Sequence, residues 1–164
     1  MAAKIGIYPG AFDPLTFGHL DIIKRSFKIV DKLIIGVADN INKKSLLSID
    51  DRKKLILSDI ATYLETNADI KVATINGLLT DYASKNNATF IIRGLRAVSD
   101  FEYEFQMTGM NYQLNSSLET IFLMSSEKYS FISSNFIKEV HKLGGDVSRF
   151  VSKNTINILN TKNI

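Results

Sequence analysis

The chain has 164 residues, a length that the usual prior assigns to a single domain, residues 1–164. Hydrophobic residues make up 45%, enough for a full core, no apolar run is long enough to span a membrane, and cysteine is absent, which excludes disulfides, thiolate metal sites and cysteine nucleophiles. The net charge of +3 and pI near 9.0 suit a small anionic substrate; a nucleic-acid partner is not expected without a dense basic stripe. The N-terminus, MAAKIGIYPG, enters a strand without the layout of a secretory signal, so the expectation is a cytoplasmic protein.

Strands and helices alternate along the chain. A β-branched run predicts a strand over residues 4–8, broken by Pro9 and Gly10. A helix over 18–29 follows, capped by Thr16, then a strand over 32–38. Residues 48–64 read as a helix opening on the capping-box-like Ser48-x-x-Asp51, with Ile56, Ile60 and Leu64 on one face. A strand over 70–75, a short helix over 78–85 and a strand over 89–92 come next. Ser99-x-x-Glu102 is a second capping box, opening a long helix to about residue 114. A strand over 120–124, a helix over 134–143 closed by Gly144-Gly145, and a last helix near 155–159 complete the chain. Near-continuous apolar strands alternating with helices mean an α/β fold with a parallel sheet covered on both faces.

The segment from Ile5 to His19, IGIYPGAFDPLTFGH, carries most of the functional signal. It runs from a strand through a Gly/Pro turn to Thr-x-Gly-His at a helix start. His19 then lies in the first turn, where unpaired N–H groups and the helix dipole favour anions, and its imidazole is a donor for a phosphate. Gly10 and Gly18 allow a ligand close to the backbone. Arg93 and Arg96 bracket Gly94-Leu95 directly after a buried strand, an arrangement for binding anions. Lys43-Lys44 follows the second strand; a lysine pair is usually a solvated loop, but here it falls at the carboxyl end of a strand. Tyr129-Ser130-Phe131-Ile132-Ser133-Ser134-Asn135 precedes a helix and offers hydroxyls and free N–H groups, although alone it is an ordinary Ser-rich cap. Asp100, Glu102 and Tyr103 fit a helix start or packing, and His141 reads as structural. No Gly-x-x-x-x-Gly-Lys-Ser/Thr loop, Gly-x-Gly-x-x-Gly fingerprint, Gly-x-Ser-x-Gly elbow or metal-ligand spacing is present. Catalysis by a protein nucleophile and a protein-held metal are therefore not expected.

Thr-x-Gly-His resembles the signature of the nucleotidyltransferase superfamily with a Thr/His-x-Gly-His motif. RGLRAVSDFEYE and YSFISSN are similar to the bacterial phosphopantetheine adenylyltransferase family, and the likeness runs from about Ile5 to about Phe150. The resemblance implies a Rossmann-like, doubly wound five-stranded parallel sheet of order 3-2-1-4-5. In that order the Gly10–His19 and Arg93–Arg96 segments both flank the switch point, where ligands bind. It implies adenylyl transfer from ATP to 4′-phosphopantetheine, giving dephospho-coenzyme A and pyrophosphate, with Mg²⁺ accompanying ATP, a homohexamer, and coenzyme A as a feedback ligand. It places His19 and Lys43 in catalysis and Ala11, Lys43, Leu79 and Arg93 on the pantetheine substrate. Ala11, Phe12, His19, Gly94, Leu95, Arg96, Glu104 and residues 129–135 fall on ATP. Two positions depart from the family: Ala11 stands where a serine or threonine hydroxyl is usual, and Asn135 replaces a third serine. The alternatives are a sister nucleotidyltransferase acting on another phosphorylated substrate, or a non-catalytic nucleotide-binding domain on the same fold.

Overall fold

A period-two apolar pattern sorts the strand side chains onto two faces. In the structure, a computed structural model describing residues 3–39, 45–65, 68–96 and 98–162, the three central strands are buried on both faces and the two edge strands only in part. Strands β1 (Ile5–Gly10), β2 (Lys32–Ala38), β3 (Asp69–Ile75), β4 (Phe90–Leu95) and β5 (Glu119–Met124) form one parallel sheet, ordered β3-β2-β1-β4-β5. Helices α1 (Phe17–Ser26), α2 (Ile49–Tyr63), α3 (Leu79–Lys85), α4 (Val98–Leu114), α5 (Ser134–Lys142) and α6 (Lys153–Thr161) connect and cover it. Tyr8, Leu33, Ile35, Val37 and Ile92 point into one core with Ile22 and Ile23 of α1 and Ile56 and Ile60 of α2. Their neighbours Ile7, Ile34 and Ile91 point into a second core with Ala83 of α3. Each such aliphatic side chain, fully buried, contributes roughly 1.5–3 kcal/mol. A smaller cluster of Ile132, Ile137, Val147, Val151 and Leu159 holds α5 and α6.

Three expectations need correction. Pro9 and Gly10 do not break β1: they pair with Gly36 and Val37 of β2. Along a strand, a residue's N–H and C=O point to the same side, and the Pro9 carbonyl faces Arg93 of β4. The β1–β4 ladder ends at Ile7↔Ile91, so the missing proline N–H falls where the ladder has already opened and nothing is lost. Second, β4 runs on through Arg93, Gly94 and Leu95, which pair with Phe122, Leu123 and Met124. Arg93 is therefore a strand residue, not a loop residue. Third, α4 begins at Val98, so Ser99 lies inside the helix and not at its cap.

Other local signals are met. The Ser48 hydroxyl accepts the Asp51 N–H at 3.1 Å. Helix α5 closes in a Schellman motif: Gly145 N–H donates to the Val140 carbonyl, Gly144 N–H donates to that of His141, and Gly144 takes φ +79°.

Candidate active site

A cavity of about 490 Å³ opens where β1 and β4 part, at the carboxyl ends of β1, β2 and β4. That volume lies within the range of small-molecule sites. Residues of two helix starts line it: Thr16, Gly18 and His19 of α1, and Ser133, Ser134 and Asn135 of α5. Both present first-turn N–H groups and the positive ends of helix dipoles to the same space.

His19 is held by a reciprocal cap. The Thr16 hydroxyl accepts the His19 N–H, and Nδ1 of His19 accepts the Thr16 N–H at 3.1 Å. A backbone N–H can only donate, so Nδ1 is the acceptor and the ring proton sits on Nε2. The imidazole is neutral: burial, and secondly the charge of Arg96, push its pKa down to about 4. The ring keeps some accessible surface and lines the cavity, and among the described residues no acceptor engages Nε2. It is packed edge-on by Phe12 at 5.1 Å, which in turn meets Tyr8 at 5.4 Å. Phe12 is fully buried at φ +49°, and its ring would lie 2.9–3.2 Å from a Cβ at position 10, which is why glycine stands there. Burial raises the pKa of Tyr8 well above the usual phenol, against the lowering effect of Arg93 and Arg96, so it is a neutral donor.

Arg93 and Glu104 form a bidentate pair. Nε donates to Oε2 at 2.7 Å, Nη2 to Oε1, and Nη1 reaches the Pro9 carbonyl at 2.9 Å. Three of the five N–H bonds are used, leaving two for a ligand. Burial works against the Arg93 charge, but Glu104 outweighs it and raises its pKa. Arg96, more exposed, holds Asp100 at 3.0 Å and donates to the Ile132 carbonyl at 3.2 Å, tying α4 to the segment before α5. Asp13 is buried and satisfied by the N–H groups of Leu46 and Leu47, at 2.9 and 2.8 Å, and by the Lys138 ammonium at 3.0 Å. Ser134 donates to the Pro14 carbonyl at 2.8 Å, and the Ser133 hydroxyl caps α5 through Phe136 N–H.

Of the residues singled out from sequence, Ala11, Phe12, His19, Arg93, Gly94, Arg96, Glu104, Tyr129, Ile132, Ser133, Ser134 and Asn135 line this cavity. Leu79 does not: it opens α3 and packs on the core of Ile7, Ile34 and Ile75. Leu95 is buried beneath the site, Ser130 bonds the Glu127 carbonyl, and Phe131 is 89% exposed; none of the three lines the cavity. Lys43 lies outside the described residues. Sequence reasoning did not single out Tyr8, Asp13, Lys138 or Ser125, which also line it. Asp13 and Lys138 are 125 positions apart and share no motif; a buried aspartate beside a proline turn was the one available hint.

A 3-2-1-4-5 parallel sheet with an arginine-lined, helix-capped cavity at its switch point is the architecture of a nucleotidyltransferase. The cytidylyltransferase-like family model matches residues 7–140. Among solved structures, the nicotinic acid mononucleotide adenylyltransferase of Plasmodium falciparum complexed with NaAD superposes with a TM-score of 0.73 at 16% identity, covering 99% of this chain and 97% of that one. The bifunctional NMN adenylyltransferase/ADP ribose pyrophosphatase of Francisella tularensis gives 0.71 at 17%, covering 98% of this chain but 49% of that one. These show the fold. Sequence relatives go further: the phosphopantetheine adenylyltransferase of Wolbachia pipientis subsp. Culex pipiens is 57% identical over 150 residues, 92% of this chain and 88% of that protein. That of Rhodospirillum centenum is 51% identical over 149 residues, 91% of this chain and 81% of that protein. The chain belongs to the phosphopantetheine adenylyltransferase family, within the cytidylyltransferase-like nucleotidyltransferases.

Proposed function

We propose that the chain transfers the adenylyl group of ATP to 4′-phosphopantetheine, giving dephospho-coenzyme A and pyrophosphate in coenzyme A biosynthesis. The relatives at 51–57% identity carry the name of that enzyme. The observation that carries the reading to chemistry is the neutral His19, fixed as an Nε2 donor at a helix start on the cavity.

The phosphate of 4′-phosphopantetheine is already ionised, so it needs no general base. Its oxygen attacks the α-phosphorus of ATP, that P–O bond forms, and the bond to the bridging oxygen of pyrophosphate breaks. The protein's work is then to position two anions and stabilise charge as it shifts onto the α-phosphate and the leaving group. His19 Nε2–H donates to the α-phosphate, and its bond strengthens as charge builds. Lys43 follows β2 in sequence and supplies a further cation. Arg93 takes the pantetheine phosphate with its two remaining N–H bonds. Arg96 and the first turn of α5, with Ser133, Ser134 and Asn135, take the ATP phosphates, and Gly94 and Glu104 lie at the nucleotide. Leu79 and Ala11 complete the pantetheine side. Among the described residues no group of three or more His, Asp or Glu could hold a metal, and Asp13 is engaged by Leu46 and Lys138. Mg²⁺ bound with ATP would be held by phosphate oxygens and water and would offset phosphate charge.

The assembly we propose is a homohexamer. Exposed apolar side chains along α4 support it: Phe101, Phe105, Met107, Met110, Tyr112 and Leu114 are each at least 40% exposed. Coenzyme A, which carries both product halves, is proposed as a feedback ligand of the same cavity. Among the described residues no helix is long and apolar enough to cross a membrane, and the proposed location is the cytoplasm. Pyrophosphate release from ATP, with and without 4′-phosphopantetheine, tests the activity. Release that ignores 4′-phosphopantetheine, or its absence altogether, overturns this reading.

A further inference from the structure

Arg52 is a buried cation that no carboxylate among the described residues neutralises. It sits in α2, 2% exposed, and among the described residues it forms no ion pair. Its acceptors are backbone carbonyls: Nη1 donates to Ala11 at 2.9 Å and to Ala38 at 3.2 Å, and Nε donates to Ser48 at 3.4 Å. Burying an unpaired charge is costly, and a guanidinium spent on carbonyls asks for a reason. Ala11 and Ala38 both line the cavity, at the carboxyl ends of β1 and β2; Arg52 does not line it and stands behind them.

The Ala11 carbonyl and the Phe12 N–H belong to one trans peptide, so they point in opposite directions. With its oxygen held by Arg52 on the side away from the cavity, that peptide turns its N–H towards the cavity. Among the described residues no acceptor takes the Phe12 N–H, although Phe12 is buried. Phe12 itself has φ +49°, a conformation that a bulky residue adopts only when its surroundings impose it. Arg52 and the edge-on packing of Tyr8 impose it here.

We infer that Arg52 is a positioning residue for adenylyl transfer: it locks the Ala11–Phe12 peptide so that the Phe12 N–H donates to a phosphate in the cavity. The inference rests on the function proposed above. In this chain the clamp has added weight, because Ala11 brings no hydroxyl and the backbone donor must serve. The guanidinium also places positive charge behind the loop at no cost in space within the cavity, and it fixes the Ala38 carbonyl from which the chain continues to Lys43. Lysine keeps the charge but lacks the rigid second donor, Nε, that bonds the Ser48 carbonyl and so fixes where Nη1 meets Ala11 and Ala38.

The test uses the ¹⁵N-labelled full chain titrated with ATP, following the Phe12 amide and the His19 ring together. The wild type is expected to shift both. Arg52→Lys is expected to keep its fold and the His19 response, to lose the Phe12 response, and to lower kcat on the order of tenfold or more per folded molecule. Arg52→Gln, neutral and shorter, takes its place if Arg52→Lys does not fold, with the same expectation. A His19 response without a Phe12 response in the wild type overturns the inference and leaves the proposed site standing. A variant that melts lower but keeps wild-type kcat per folded molecule makes Arg52 structural and overturns it too. If ATP moves neither signal, the site itself is wrong and the inference falls with it.

Discussion

At the scale of single residues, His19 gives the sharpest expectations. Its ring should remain neutral through the usual histidine range near pH 6.5 and titrate near about 4 in the free protein, which NMR of the imidazole reads directly. Its contribution to stability has a fixed sign. Between those two values the unfolded chain binds a proton that the folded chain refuses, so stability from this group is complete above about pH 6.5 and declines as pH falls to about 4. A midpoint near 6.5 would mean that burial and the charge of Arg96 do not hold the ring neutral. His19→Ala should lower kcat about a hundredfold or more while changing ATP affinity little; turnover like that of the wild type would remove the central assignment. Ala11 is exposed on the cavity, so Ala11→Thr has room for the missing hydroxyl. One charge-assisted hydrogen bond is worth about 1.5–3 kcal/mol, and kcat/KM for 4′-phosphopantetheine should rise. An unchanged or lower value means that the site has been rebuilt around alanine. Arg93→Ala should weaken 4′-phosphopantetheine chiefly, and Arg96→Ala should weaken ATP, as calorimetry with each ligand would report. Because Arg93 is the partner of the buried Glu104, its loss should also cost about 1–3 kcal/mol of stability, measured by urea unfolding. Arg96, paired at the surface, should cost little.

At the scale of elements, strand ends and helix starts build the site. Because β4 extends through Gly94, Arg93 is anchored by sheet hydrogen bonds, and its guanidinium reaches α4 and β1 from a rigid base. Elsewhere an element is docked at a cost. Asp59 of α2 is fully buried against the start of α6, meeting Ser152 and, at 3.1 Å, Asn154. Burial raises its pKa despite those two donors. A raised carboxyl pKa favours the protonated fold, so stability from this group is present at low pH and lost as pH rises through the folded value. Asp59→Asn keeps the shape and removes the charge; its melting temperature should exceed the wild type's at neutral pH, by a margin that shrinks towards pH 4. A margin independent of pH would mean that the carboxylate is accommodated ionised.

On the scale of the whole molecule, α4 exposes large apolar side chains along its length. Light scattering should give the mass of several 18.4-kDa chains, six on our reading. The double variant Phe105→Glu/Met110→Glu should give smaller species with an unchanged circular dichroism spectrum. A wild-type chain that runs as a monomer at micromolar concentration overturns the proposed hexamer.

The sequence by itself determined what local chemistry decides. The alternation of elements, the β-branched strands, the Thr16 and Ser48 caps, the Gly144-Gly145 stop and the placement of His19 in a first turn all depend on residues within a few positions of one another. The tertiary structure decided what depends on neighbours distant in sequence. Pro9 stays in β1 because β4 has parted from it there, and Arg93 belongs to a strand because β5 continues beside it. The Arg93–Glu104 pair spans 11 positions, the Arg52 clamp on Ala11 spans 41, and Asp13 meets Lys138 across 125. No periodicity or cap links such residues, because their contact exists only once the sheet has brought three strand ends and two helix starts to one crevice.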